Sequence, residues 1–284
     1  DFAAEFGIPQ AYGNYQSLVE DPLVDAIYIG TPHAFHAEHA LLCLQHGKHV
    51  LCEKSLALNA RQAELMVQMA EENDLLLMEA MWTRFLPAIV RLRELLAEGV
   101  IGEPRLFIAD FGFRTEFNPA SRLFDPAQGG GTLLDLGVYP VSFASMLFGD
   151  PTAVGGFASL GQSQVDEEAC INLRHKGGEL ASSTLSFRVE TPREGVILGT
   201  EGSVRLHQPW WAATRLTINN GHGSEETLDF PLRGNGYEYE AEEFMTLIRE
   251  DRRDSLIMPL RESLAIMRTM DTLRLAWGVE YPGE

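Results

Sequence analysis

His49-Val50-Leu51-Cys52-Glu53-Lys54 is the stretch that decides the fold: an apolar run closes on a charged pair, and Asn59 then opens a helical pattern to about Glu72. A short apolar strand ending in polar residues marks the C-terminal edge of a parallel sheet, where open α/β folds gather ligands. Outward from it, Val24–Gly30 reads as a buried strand and Ala37–Gln45 as an amphipathic helix ending at Gly47. Leu75–Met81 reads as a third strand after the helix capped by Asn59. Strands alternating with helices of this length predict right-handed βαβ units. Upstream, Phe2–Phe6 reads as the end of a helix with Gly7 at its C′ position, and Ser17–Glu20 as a helical turn.

From about Phe85 the pattern changes. Ala88–Glu98 reads as a helix closed by Gly99, Arg105–Phe113 as a strand, and Asp135–Phe148 as a helix. Period-two alternation follows in Ala169–Arg174 and Ala181–Val189, with further strands at Val196–Leu198, Ser203–Leu206, Arg215–Asn219 and Thr227–Phe230. Helices Tyr237–Arg249 and Leu260–Trp277 close the chain. The fold class is α/β: a partial Rossmann parallel-sheet domain over 1–83, then an α+β domain with a large, mostly antiparallel open sheet over 84–284. One face of that sheet carries Ser182, Thr184, Ser186 and Arg188. Small hydroxyl side chains let two sheets approach across a twofold axis, which predicts a homodimer or higher homo-oligomer through this face.

A net charge of −19 argues against nucleic acid and against an anionic membrane as partners, since both require a surplus of Lys and Arg. No run approaches the ~18 apolar residues that span a bilayer. Cys43, Cys52 and Cys170 form no CxxC pair; they read as buried thiols in a reduced, cytoplasmic protein. His33, His36 and His39 are spaced i, i+3, i+6, but no Cys or carboxylate set completes a metal site, and none is expected. Trp210-Trp211 reads as an exposed aromatic pair in a loop.

Lys54 at the sheet edge is the first candidate for chemistry. The second is Gly129-Gly130-Gly131-Thr132-Leu133-Leu134-Asp135-Leu136-Gly137-Val138-Tyr139, which places Asp135 and Tyr139 four residues apart, on one face if the segment is helical, although Pro140 disturbs that geometry. A phenol titrating near ~10 is pulled toward its phenolate by an adjacent lysine cation, so the three groups suit proton transfer to or from an alcohol oxygen. The competing readings are a surface lysine, a core tyrosine and a helix-capping aspartate. Trp82 and Arg84 either pack and pair at the domain junction or bring the guanidinium to a phosphate.

Thr31-Pro32-His33 with His36, then Glu53-Lys54, then Met78-Glu79-Ala80-Met81-Trp82-Thr83-Arg84-Phe85, then the triple glycine, resemble in that order the Gfo/Idh/MocA family of NAD(P)-dependent oxidoreductases. The branch they most resemble holds dimeric dihydrodiol and D-xylose dehydrogenases, and Met258–Ser263, Trp277-Gly278 and Tyr281-Pro282 fit it as well. The resemblance covers essentially the whole chain. It implies hydride transfer between NADP or NAD, NADP favoured, and a secondary alcohol of a small-molecule sugar or diol. It implies Lys54 as the catalytic lysine, Tyr139 as proton donor or acceptor and Asp135 as the accompanying acid. Cofactor contacts are expected from Gly30, Thr31, Pro32, His33, His36, Glu53, Lys54, Trp82 and Arg84. The alternative is a non-catalytic cofactor-sensing or interaction protein on the same scaffold, which would need neither Lys54 nor Tyr139.

Two departures stand out. There is no GxGxxG and no residue of the kind that separates NAD from NADP, so a chain lacking the first βαβ unit is expected. Ser55 replaces the family's proline after the lysine, which predicts a less rigid aim for Lys54.

Overall fold

Two sheets organise the computed structural model, which describes residues 2–284. The chain enters through α1 (Phe2–Glu5) and α2 (Tyr15–Val19), then builds β1 (Ala26–Ile29), α3 (His33–Gln45), β2 (His49–Glu53), α4 (Ala60–Glu72) and β3 (Leu77–Ala80). These strands pair in the order β1-β2-β3, all parallel. Asn59 caps α4 as expected, its Oδ1 accepting the Gln62 N–H at 2.8 Å. Helix α3 starts four residues before the expected boundary because Pro32 precedes it, a residue with no N–H to satisfy at a helix start. That shift puts His33 and His36 in the first turn, directly beyond the C-terminal edge of β1.

The second sheet follows α5 (Pro87–Ala97) and comprises β4 (Pro104–Gly112), then, after α6 (Val138–Phe148), β5 (Pro151–Leu160), β6 (Asp166–His175), β7 (Leu180–Ser186), β8 (Gly195–Gly199), β9 (Ser203–Leu206), β10 (Arg215–Asn219) and β11 (Glu225–Asp229). Its order is β11-β10-β9-β8-β4-β7-β6-β5, with β4 parallel to β7 and every other pair antiparallel. Helices α7 (Glu238–Arg249) and α8 (Leu260–Trp277) end the chain. Helix α8 packs on α4 and β3 of the first sheet and on α6 and β5 of the second, so it clasps the two together. Helix α6 covers the inner face, where Phe143 stacks on Phe107 of β4 with ring centres 4.9 Å apart. Among the described residues, the helical stretch Pro126–Phe148 is long and apolar enough to cross a bilayer, and 83% of its apolar window is buried inside this core.

Several expectations need correction. Strand β5 was not anticipated, because Gly155-Gly156 breaks the alternation in Pro151–Leu160. Ser186 is buried at the end of β7, where its Oγ accepts the Arg188 and Val189 N–H groups, so it is a turn residue and not part of an open face. The outer face is also less polar than expected. Register aligns Phe157, Cys170 and Thr184 in one row and Asn172, Ser182, Ile108 and Val196 in another, and Phe157 is 86% exposed. Cys43 and Cys52 are buried but Cys170 is exposed on this face. Trp210 is fully buried and donates its Nε1–H to the Asp110 carbonyl, so the tryptophan pair is not an exposed one.

Candidate active site

A cavity of about 590 Å³ opens where the C-terminal edges of β1 and β2 meet the inner face of the second sheet. Its size lies in the ordinary range for a ligand pocket. The turn after β1 supplies Gly30–His33, the end of β2 supplies Glu53 and Lys54, and the opposite wall holds Asp135, Leu136 and Tyr139. Tyr28, Phe111, Phe113, Arg122, Gln128 and Tyr237 complete the lining.

Lys54 reaches across the cavity. Its Nζ donates to the Asp135 carbonyl at 2.7 Å and lies 3.3 Å from Asp135 Oδ1. Arg122 donates to the same Oδ1 at 2.9 Å, so one carboxylate oxygen is shared by two cations. Burial opposes ionisation of Asp135, but Lys54, Arg122 and His33 outweigh it and hold the carboxyl well below the usual carboxylate range. The Lys54 ammonium also stands 4.8 Å from the centre of the Tyr139 ring. Burial works against the ammonium, yet Tyr139, Asp135 and Glu53 together raise its pKa. Trp82 donates its Nε1–H to the Tyr139 hydroxyl oxygen at 2.9 Å and stacks on Tyr237. With one lone pair thus engaged, the Tyr139 hydroxyl retains a proton and a second lone pair.

The expectation that Lys54 lowers the tyrosine pKa is reversed in the balance. Lys54 and the Trp82 hydrogen bond do pull it down, but burial is the larger effect and Asp135 and Glu53 add to it, so the phenol is held above its ordinary value. At neutral pH the pair is a neutral phenol beside an ammonium.

The segment carrying Asp135 and Tyr139 is not a regular helix throughout. Leu133–Gly137 forms a π-helical turn that feeds into α6 at Val138, with Pro140 in the first turn of α6, where its missing N–H costs least. Ser55 does not loosen the lysine. It is fully buried, its Oγ donates to the Leu134 carbonyl at 2.9 Å, and its own carbonyl lies 2.8 Å from His36 Nδ1. The next N–H, from Leu56, is accepted by Glu79 Oε1. Hydrogen bonds therefore do here what a proline ring would do by covalent constraint.

The remaining expected residues divide. His33 lines the cavity; its Nδ1 lies 3.0 Å from the Gly129 carbonyl, which makes Nδ1 the protonated nitrogen and leaves Nε2 an acceptor. Burial, then the Lys54 charge, hold His33 neutral with a pKa of about 3. His36 lies behind the wall, its ring spanning the Ser55 and Thr31 carbonyls and tying the two cavity turns together. Trp82 stands behind Tyr139 and off the cavity surface. Arg84 is not brought to the cavity at all: it is 1% exposed and donates to Ser142 Oγ, the Ile257 carbonyl and Glu262. A phosphate role there fits poorly because its donors already have acceptors. Among the described residues, no group of three or more His, Cys, Asp or Glu side chains is arranged to hold a metal ion.

The lining residues missed from sequence come from five separate segments. Phe111 and Phe113 share a face of β4 and its extension by i, i+2 spacing, and Tyr28 interrupts an aliphatic strand, but neither signal indicates a pocket. Arg122 sits in an irregular loop with no periodic signal at all.

The walls fit the nicotinamide end of a dinucleotide. Gly30–Pro32 offers a backbone turn with little side chain, and Glu53 and Lys54 place an acceptor and a donor beside it. Residues 1–81 match the model described as "Oxidoreductase family, NAD-binding Rossmann fold", and residues 89–205 match that of the GFO/IDH/MocA C-terminal domain. The trans-1,2-dihydrobenzene-1,2-diol dehydrogenase of Mus musculus is 38% identical over 292 residues, covering 99% of this chain and 86% of that enzyme. The Homo sapiens enzyme of the same name is 37% identical over 294 residues, with the same coverage. A solved 3-ketoreductase from Actinomadura kijaniata, in complex with NADP and TDP-benzene, superposes with a TM-score of 0.87 at 27% identity, over 96% of this chain and 84% of that one. A levoglucosan dehydrogenase in complex with NADH and L-sorbose shares the fold, with a TM-score of 0.87 at 22% identity, over 99% of this chain and 86% of that one.

Proposed function

The chain belongs to the Gfo/Idh/MocA family of NAD(P)-dependent oxidoreductases, and from that premise we propose that it interconverts a secondary alcohol and a ketone on a small diol or sugar. The observation that carries this reading is the junction, across the cavity, of Lys54 with Asp135 and Tyr139. We assign 1–83 to the cofactor half and 84–284 to the substrate half.

The bound nicotinamide supplies or accepts the hydride. The chain supplies the proton and the alignment. Tyr139 gives its hydroxyl proton to the ketone oxygen in reduction and takes it back in oxidation, with Trp82 fixing the phenolic oxygen from behind. Lys54 balances the negative charge that develops on that oxygen, and Asp135 holds the lysine in place through its carbonyl and carboxylate. The aromatic wall of Phe111, Phe113 and Tyr237 suits the apolar face of a ring, and Arg122 and Gln128 at the mouth suit its hydroxyls. The raised phenol pKa gives the pH dependence its sign. A protonated Tyr139 favours reduction at neutral pH, and oxidation accelerates as the medium becomes alkaline.

The test is steady-state oxidation of trans-1,2-dihydrobenzene-1,2-diol and of D-xylose with NADP⁺ and NAD⁺. Turnover should rise toward alkaline pH, and Tyr139→Phe should lower kcat by roughly 10² or more while cofactor affinity changes little. Near-native turnover by that variant removes Tyr139 from the chemistry, and cofactor binding without turnover of either alcohol removes this substrate class.

Self-association through the outer face of the second sheet, and a cytoplasmic location, belong to the same reading. The exposed Phe157 on the edge strand β5, beside Cys170 and Thr184, gives that end of the face an apolar patch, and an exposed unpaired thiol suits a reducing compartment. Thr184→Arg should convert a dimer to a monomer in light scattering; a dimer indifferent to that change has its interface elsewhere.

A further inference from the structure

We propose that Asp166 is a positioning residue for the catalytic wall, a cap reaching from the start of β6 to hold the first N–H of the turn that carries Asp135 and leads into Tyr139. This rests on the roles given above to Asp135 and Tyr139. The Leu133–Gly137 turn has no side-chain cap from its own N-terminal neighbour. A helical start without a cap leaves N–H donors unsatisfied, and here they are buried. Asp166 meets that need from another element: its Oδ2 accepts the Leu133 N–H at 2.6 Å and the Thr132 hydroxyl at 2.7 Å. A carboxylate is also the charge that a helix N-terminus favours.

The arrangement is costly, which is what marks it as more than packing. Asp166 is fully buried, its Oδ1 has no donor, and burial raises its carboxyl to about 6 against the pull of its hydrogen bonds. The loop is pressed against that unpartnered oxygen. Gly131 has φ +114°, and a Cβ there would lie 2.3 Å from Asp166 Oδ1. Gly131 is therefore glycine both for its backbone and for the approach of this carboxylate. One residue earlier, the Tyr281 hydroxyl donates to the Gly130 carbonyl at 3.0 Å, so the loop is fixed from two directions. Two residues beyond the capped Leu133 lies Asp135, whose carbonyl and carboxylate both engage Lys54. A displaced turn misplaces the lysine and the phenol together, and small misplacements of reacting groups are expensive in rate.

The experiment uses the full chain with Asp166→Ala, Asp166→Asn, Gly131→Ala and Thr132→Val. Asp166→Ala and Gly131→Ala should each lower kcat about tenfold or more, with cofactor affinity nearly unchanged. Asp166→Asn keeps an acceptor for Leu133 and should recover most of that loss. Thr132→Val, which removes one of the two hydrogen bonds at little change in volume, should show a smaller loss and keeps the test decisive if Asp166→Ala does not fold. Amide hydrogen exchange in the absence of cofactor should quicken in the segment 131–139 alone in Asp166→Ala, or in Thr132→Val where that variant stands in. Turnover by the unaltered chain tests the assigned chemistry; the ratio between variants tests the cap. Native kcat in the Ala variants, an Asn variant no better than Ala, or exchange that quickens evenly across the chain would each overturn it.

Discussion

Lys54 and Arg84 invite the same reading and turn out to be opposites. Each is a cation just beyond the C-terminal edge of a parallel strand, and each was expected to meet the cofactor. Arg84 is sealed between Ser142, Ile257 and Glu262, its donors matched by acceptors from α6, α8 and the loop before α8. Lys54 is bound at one end only, by Asp135, and otherwise faces a cavity. Position in the fold does not separate a structural cation from a chemical one; the tally of its partners does.

Three measurements sharpen or break that contrast, and the largest effect belongs to the sealed residue. Arg84→Met leaves Glu262 with only the Ser145 hydroxyl, and removing one member of a buried ion pair costs up to about 3–5 kcal/mol. Denaturant unfolding should show that loss, while kcat per folded molecule stays nearly native; a selective fall in kcat would place Arg84 in the chemistry after all. Lys54→Met should do the reverse: kcat should fall by roughly 10², about 2.7 kcal/mol of barrier, with a melting temperature close to that of the unaltered chain. A destabilised but active variant would put Lys54 in the same class as Arg84.

Glu240 on α7 is a third buried ionisable group and has neither kind of partner. Both its oxygens lack donors, and burial, then Glu53 and Glu79, push its pKa up to about 9. The folded protein therefore holds a proton that the unfolded chain releases above its ordinary value of 4.5. Stability is undiminished below that value and falls as pH rises toward 9, by up to about 1.4 kcal/mol per pH unit. Glu240→Gln does not titrate, so its advantage in denaturant unfolding should be absent near pH 4.5 and grow steadily toward pH 8. An advantage independent of pH would show that Glu240 is ionised in the fold.

Where local chemistry decides structure, the chain was readable. Asn59 capped α4 as its side chain requires, α8 ran from Leu260 to Trp277 as its pattern indicates, and Lys54 met Asp135 and Tyr139 across one cavity. What failed depended on partners remote in sequence. Nothing near Arg84 announces Ser142 or Glu262, which lie 58 and 178 residues away. The tyrosine pKa failed for the same reason: lysine proximity was legible, but the burial that outweighs it was not. Arg122 and Tyr237 reach the cavity only through tertiary folding.

The place of β4 in its sheet has a consequence for how the cavity comes into being. Strands β5 to β7 and β8 to β11 are meanders between sequence neighbours and can zip locally, as hairpins do. Strand β4 belongs to neither run: Phe107 pairs with Ala181 on one side and Ile197 on the other, both distant along the chain. Closing such loops is the slow, entropy-limited part of assembly. Phe111 lies on this strand and Phe113 just beyond it, so the aromatic wall takes shape when the two meanders are joined, and a chain halted before that join has the lysine turn in place with nothing opposite it to bind against.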